Sequence, residues 1–184
     1  QYAGVVLTSI DARTALLPAV DAYRRFIGMA KGVTLEVKVR HAVSVWGTAD
    51  ILGRHKGVGL VGDFKFGAGA VEVKGNDQLM FYASAALVSG KLPKQTPVVR
   101  MAIIQPGARP TLQEDEASAR QLRDFAAEVR EVAKVALSDD APLIPGDKQC
   151  QWCPAGKAGI CKARNAQRAA AAPDLATALL TLTR

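Results

Sequence analysis

The chain has 184 residues, enough for about one domain with a genuine core. Its 24 Lys and Arg against 17 Asp and Glu give a formal charge of +7, which suits a polyanionic partner such as DNA. Only 5% of residues are aromatic, which excludes an extended base-stacking platform and leaves phosphate contacts dominant. No apolar run reaches membrane-spanning length and no charged-then-apolar leader is present, so neither a membrane span nor a secretory signal is expected. Three cysteines in one C-terminal knot read as metal chemistry in a reducing interior, and the expected compartment is cytoplasmic.

In chain order, Leu16 to Met29 is a predicted helix around Pro18. Val33 to Val45 alternates with period two, which puts Val33, Leu35, Val37, Val39, Val43 and Val45 on one face of a long first strand. His41 falls in the inward parity of that strand and reads as a packed or hydrogen-bonded side chain rather than a ligand. Gly47 to Leu52 reads as its antiparallel neighbour, and Arg54 to Gly57 as a hairpin turn with His55 exposed. The next strand carries Gly62-Asp63-Phe64-Lys65. Side chains two apart on a strand share a face, so Asp63 and Lys65 project from the same side.

If the turn centres on Lys56 and Gly57, Asp50 lies opposite Asp63. Two carboxylates held together repel unless a cation sits between them, and hard oxygen ligands suit magnesium or manganese. Such an ion would hold a phosphate and lower the pKa of its bound water, leaving Lys65 to orient that water and stabilise charge developing on phosphorus. Gln78 and Tyr82, four apart, lie on one face of the following helix. Asn76 or Asp77 caps it, and Leu79, Ala83, Ala86 and Leu87 form the stripe that packs it on the sheet. Glu72 and Lys74 fall in the preceding loop, where Lys74 is a candidate phosphate contact.

Gly90 to Pro97 interrupts the pattern, and Val98 to Gln105 is a further apolar strand ended by Pro106. Glu116 to Leu137 reads as the clearest helix, with Leu122, Phe125, Ala126, Val129, Val132, Ala133 and Ala136 as its buried stripe. Ser138 to Lys148 is a polar linker to Cys150, Cys153 and Cys161, and Asn165 to Ala172 a short helix before Pro173. There is no internal repeat.

Gly-Thr-Ala-Asp at Gly47–Asp50, then Asp-x-Lys at Asp63–Lys65, then Gln-x-x-x-Tyr at Gln78–Tyr82, resembles the PD-(D/E)XK nuclease superfamily, and within it the RecB-like exonuclease branch. The resemblance covers roughly Leu35 to Arg164. It implies a metal-dependent DNA nuclease in which Asp50, Asp63 and the Phe64 carbonyl bind Mg2+ or Mn2+, Lys65 is catalytic, and Gln78 and Tyr82 support the site. Phage-encoded and CRISPR-adaptation members of the branch carry cysteines after the core, which matches Cys150, Cys153 and Cys161. In those relatives such a trio, with a fourth cysteine from far upstream, binds a four-iron iron–sulfur cluster.

This chain has only three cysteines, and no histidine precedes His41 where family members place a metal-binding one. It begins with Gln1 rather than Met, so the expectation is that an upstream segment supplies both. The alternative is a naturally altered site in which Glu36 compensates. Iron–sulfur is preferred for the cysteines, with zinc as the alternative and a stripped site also open.

The expected architecture is therefore α/β: a restriction-endonuclease-like core over residues 1–137, a mixed central sheet flanked by helices, followed by a cysteine-bound C-terminal subdomain over 138–184. The expected activity is metal-assisted hydrolysis of DNA phosphodiesters, exonucleolytic and in DNA processing or recombination. A single-strand annealing protein of phage or prophage recombination is the partner implied by the resemblance. The competing readings are a DNA-binding module of the same fold without turnover and a zinc-stabilised interaction domain.

Overall fold

The computed structural model describes residues 8–171, so the expected C-terminal tail and Ala172 lie outside the described residues. Two compact units divide the chain at residues 1–134 and 135–184. The first is an α/β fold built on a five-stranded mixed sheet of order β1-β2-β3-β4-β5. Its strands are β1 (Lys31–Ala42), β2 (Val45–His55), β3 (Val58–Phe64), β4 (Val98–Ile104) and β5 (Leu112–Ser118). Neighbours run antiparallel except β3 and β4, which are parallel and joined through helix α3 (Asp77–Val88). A parallel pair needs such a crossover, and the carboxyl end of its first strand is where α/β sheets open to ligands.

The N-terminal helix begins earlier than Leu16. Thr8 and Asp11 form a reciprocal capping box that starts α1 (Ser9–Asp11). A widened π turn over Ala12–Leu16 then leads into α2 (Leu17–Ile27). Pro18 in the first turn of α2 lacks the N–H that an unbroken ladder would need there.

Each sheet face is covered by its own helix. On one face Val39, Leu52, Val61, Val99, Met101 and Ile103 pack with Leu79, Ala83, Ala86 and Leu87 of α3, so the stripe expected on that helix is the buried one. On the other, Ile51, Leu60, Ala102 and Ile104 pack with Ala19, Ala22 and Phe26 of α2. Consecutive residues of β3 and β4 thus go to opposite cores, which is why both strands read as continuous apolar runs. Phe26 is fully buried, and its carbonyl accepts a 2.7 Å bond from Arg100 Nη2 on β4. We expect Phe26→Ala to cost about 3–5 kcal/mol in denaturant unfolding. A loss under about 1 kcal/mol would mean that α2 is not anchored there.

Several expectations for the strands are corrected. The valines of the first strand do not share one face: Val33 packs with the α2 core, whereas Val37 and Val39 pack with the α3 core. Glu36 between them takes a left-handed backbone (φ +53°), which rotates the strand and breaks the alternation. Val43 sits in the turn after β1 and Val45 opens β2. The hairpin turn is also shorter, because Arg54 and His55 belong to β2 and His55 is half-buried.

Glu116 is not helical. It belongs to β5, an edge strand whose run of acids resembles a helical first turn in sequence, and Glu114 on that strand pairs with Arg100 of β4 at 3.4 Å. Helix α4 (Ala119–Ala136) starts after Ser118, where Ser118 and Gln121 make reciprocal cap bonds. Only Leu122 and Ala126 of its stripe are buried, Phe125, Val129 and Ala133 are partly covered, and Val132 and Ala136 are exposed. The burial is therefore confined to the N-terminal half of the helix.

In the second unit, two short helices, α5 (Asp147–Cys150) and α6 (Pro154–Lys157), precede a helix over residues 162–171. Arg164 Nη1 donates to the Cys150 carbonyl at 2.8 Å, and Asn165 Nδ2 to the Gly159 carbonyl at 2.7 Å, so side chains of the last helix hold the preceding turns. Among the described residues no helix is long and apolar enough to cross a membrane.

Candidate functional site

The β2–β3 hairpin sets the site. Lys56 (φ +48°) and Gly57 (φ +85°) form a two-residue turn with both backbones left-handed, the geometry that matches strand twist. His55 then pairs with Val58, and the register runs on to Ile51 opposite Gly62. One further step along the hairpin sets Asp50 against Asp63. Asp50 Oδ2 accepts a 2.7 Å bond from the Phe64 N–H, which ties the two strands at the level of the acids.

Asp63 and Lys65 share a face as alternation requires, and Lys65 Nζ lies 2.7 Å from Asp63 Oδ2. Helix α3 closes the arrangement. Asn76 caps it by accepting from the Leu79 N–H at 3.1 Å, which places Gln78 in the first turn. Gln78 Oε1 accepts from Lys65 Nζ at 2.7 Å, while its Nε2 donates to Asp63 Oδ1 at 3.0 Å and to Tyr82 Oη at 2.8 Å. One amide therefore holds acid, lysine and tyrosine, and its orientation follows from chemistry: the oxygen meets the ammonium and the NH2 meets the carboxylate.

Asp63 is only 3% exposed. Burial pushes its pKa up, the Asp50 charge acts in the same direction, and the Lys65 contact opposes both. The Lys65–Asp63 Oδ2 approach is an ion-pair contact; among the described residues no well-aligned hydrogen bond reaches that oxygen. A buried carboxylate oxygen with lone pairs to spare, beside a second carboxylate, fits a hard divalent cation. Glu36 does not join them: among the described residues no three His, Cys, Asp or Glu side chains are gathered closely enough to hold an ion.

Two contributors were not foreseen. Gly47 has no room for a side chain, since a Cβ there would lie 2.8 Å from Tyr82 Cε1 and 3.4 Å from Phe81 Cε1. We expect Gly47→Ala to cost about 1–3 kcal/mol by displacing the Tyr82 ring, and to cost far less in a Tyr82→Ala background. Equal losses in the two backgrounds, measured by denaturant unfolding, would remove the steric explanation.

Gln105, 2% exposed, clamps the loop that follows Lys65. It accepts from the Val71 N–H at 3.0 Å and donates to the carbonyls of Gly67 (3.2 Å) and Gly69 (2.7 Å). A polar amide closing an apolar strand just before Pro106 is the sequence signal for it. Glu72 and Lys74, in the same loop, are exposed. His41 is hydrogen-bonded and packed as expected, with Nε2 3.1 Å from Ser84 Oγ and its ring edge-on to Phe81. Burial lowers its pKa, and the Arg130 charge acts the same way against the Phe81 carbonyl.

Cys150, Cys153 and Cys161 lie in the second unit. Cys150 is buried with its sulfur 3.5 Å from the Gly146 N–H, and Cys153 and Cys161 are half-buried and free. Among the described residues no group of three or more His, Cys, Asp or Glu side chains is gathered around one point.

The model of the family described as "Protein of unknown function (DUF2800)" matches residues 23–182, and the chain belongs to that family. Among solved structures, one titled "Crystal structure of SSO0001" is 15% identical, with 85% of this chain and 72% of that chain covered and a TM-score of 0.39.

Proposed function

We propose that this protein is a divalent-metal-dependent DNA nuclease with a restriction-endonuclease-like core of the PD-(D/E)XK kind, acting as an exonuclease in DNA processing or recombination. The observation that carries the reading is the Gln78 amide, which joins Asp63 to Lys65 directly across from Asp50. A buried acid in contact with a lysine, a second acid opposite it, and a neutral amide that holds the lysine would together supply the ligands and the cation that such chemistry needs.

Asp50, Asp63 and the Phe64 carbonyl would hold magnesium or manganese. When bound, such an ion draws in a phosphate oxygen and lowers the pKa of its water. The chain's own residues perform the remaining tasks. Lys65, fixed by Gln78, donates hydrogen bonds from Nζ to orient the attacking water and to stabilise the charge that grows on the phosphoryl oxygens. Water oxygen forms the new bond to phosphorus and gives up a proton to solvent, while the bond to the leaving sugar oxygen breaks and that oxygen takes a proton from solvent. Tyr82 keeps Gln78 in register from one helical turn away.

The basic balance of the chain supports DNA as substrate. A single-strand annealing protein as partner and a cytoplasmic location in a bacterial or phage-infected cell follow from the resemblance alone. Cys150, Cys153 and Cys161 take no part in the hydrolysis; they would hold an iron–sulfur cluster, with zinc as the alternative. Digestion of end-labelled linear DNA with Mg2+ or Mn2+ tests the reading. Cleavage that needs the ion and disappears in Lys65→Ala supports it, and DNA binding without cleavage in either ion would show a binding module instead.

A further inference from the structure

At the other end of the α3-covered face, the sheet carries a concentration of positive charge that the site above does not use. Lys31 and Arg54 are direct cross-strand partners on β1 and β2. With Lys91, just beyond the end of α3, they line a cleft of about 530 Å³. Lys31 and Arg54 also line a second hollow of similar size, with Lys56 of the hairpin turn. No carboxylate lines either hollow, and among the described residues none of these four cations is in an ion pair.

Like charges facing each other across two strands are unfavourable on their own. An anion between them reverses the sign. The cleft walls also bring bare backbone to its surface at Gly32 (φ +70°) and Gly90 (φ +71°), where a Cβ would meet open space. Backbone without side chains admits a close approach by a bulky polyanion.

The spacing to the acids is informative. Arg54 pairs with Gly59, four residues before Asp63 on β3, so the cleft lies about 13 Å away along the strand. Measured along α3, from Gln78 to Lys91, the separation is about 20 Å. Phosphates of one DNA strand advance about 3.4 Å per nucleotide along the duplex axis, so this span equals about four to six nucleotides.

We propose that Lys31, Arg54, Lys56 and Lys91 form a second anchorage for DNA, gripping backbone phosphates about four to six nucleotides from the bond that is cut. This rests on the nuclease reading and extends it: the cleft fixes the position of the strand, while the Asp50–Asp63 site cuts it.

The test is the salt dependence of binding to long duplex DNA, followed by fluorescence anisotropy with Ca2+ in place of Mg2+, for the unsubstituted chain, for the combined Lys31→Gln, Arg54→Gln, Lys91→Gln variant, and for Lys65→Ala. Each phosphate contact contributes about 0.9 to the slope of log K against log salt, so the triple variant should flatten the slope by about 2 to 3 and weaken binding at least tenfold. Lys65→Ala should change the slope by about 1 or less. Thermal melting of the triple variant should match or exceed that of the unsubstituted chain, because like-charge repulsion is relieved. Tight DNA binding with an unchanged slope in the triple variant would overturn the anchorage and leave the nuclease reading standing. No DNA binding by the unsubstituted chain would overturn both. Inorganic phosphate displacing DNA at micromolar concentration would show a pocket for a small anion rather than a strand, and would also overturn it.

Discussion

On the proposed nuclease reading, Lys65→Ala should lower the rate of DNA cleavage by about 10²–10³-fold or more while leaving DNA affinity within a few-fold. That loss corresponds to removing one preorganised donor from a site where charge develops. The side chain lies 2.7 Å from both Asp63 Oδ2 and Gln78 Oε1, so its ammonium is already aimed before substrate arrives. Removing it also leaves a buried carboxylate without its cation, a change that costs several kcal/mol when nothing compensates. The variant should therefore melt at a lower temperature without divalent ion and regain most of the difference when Mg2+ or Mn2+ is added. Lys65→Arg should not restore cleavage, because a planar fork cannot replace a compact ammonium held between an acid and an amide. An unaltered cleavage rate in Lys65→Ala would end the catalytic assignment.

Asp63→Asn separates stability from function. Burial raises the Asp63 pKa above its ordinary value of 3.8, so folding favours the protonated acid. A group of this kind imposes no penalty below its unfolded pKa. The penalty grows as pH rises between the unfolded and folded values and is complete above the folded one, so this residue alone lowers stability with rising pH. Asparagine removes the penalty and that slope, and can still accept from Gln78 Nε2. The variant should thus be about as stable as the unsubstituted chain in metal-free buffer at neutral pH. What it should lose, on the proposed reading, is ion binding. In the unsubstituted chain, ion at about 100 times its dissociation constant adds about 2.7 kcal/mol, which is about 5–10 °C in melting temperature for a chain of this size. That increment should shrink as pH falls through the raised Asp63 pKa, where protons compete with the ion, and should be absent at every pH in Asp63→Asn. An equal thermal shift in the variant would place the ion elsewhere.

The residues of the candidate site were legible because each depends on short-range periodicity. Asp63 and Lys65 share a face by strand parity, and Gln78 and Tyr82 by helical spacing. The hairpin that opposes Asp50 to Asp63 is announced by Lys56-Gly57, where the backbone must turn left-handed. Harder to read was the first strand, because the Glu36 backbone reverses its faces and nothing in the local sequence marks a non-glycine residue for φ +53°. β5 was lost to its acids, which suit a helical first turn as well as an edge strand paired with Arg100. The Ser118–Gln121 capping box was nonetheless present in the sequence and marks the true start of α4.

What the sequence determined by itself is the set of chemical groups and their local phase: which strand presents an acid and a lysine together, which helix presents an amide and a phenol, and that the chain is basic. Those features follow from repeats of 2.0 and 3.6 residues, which operate within a single element. Tertiary structure alone decided the rest. It placed α3 so that one amide spans Asp63, Lys65 and Tyr82, left Gly47 no room for a side chain, made Gln105 the clamp of the loop after Lys65, and set Lys31 against Arg54 at the far end of the sheet. Each of these depends on residues far apart in the chain meeting in one packed core, where register and close approach, rather than local preference, determine which groups touch.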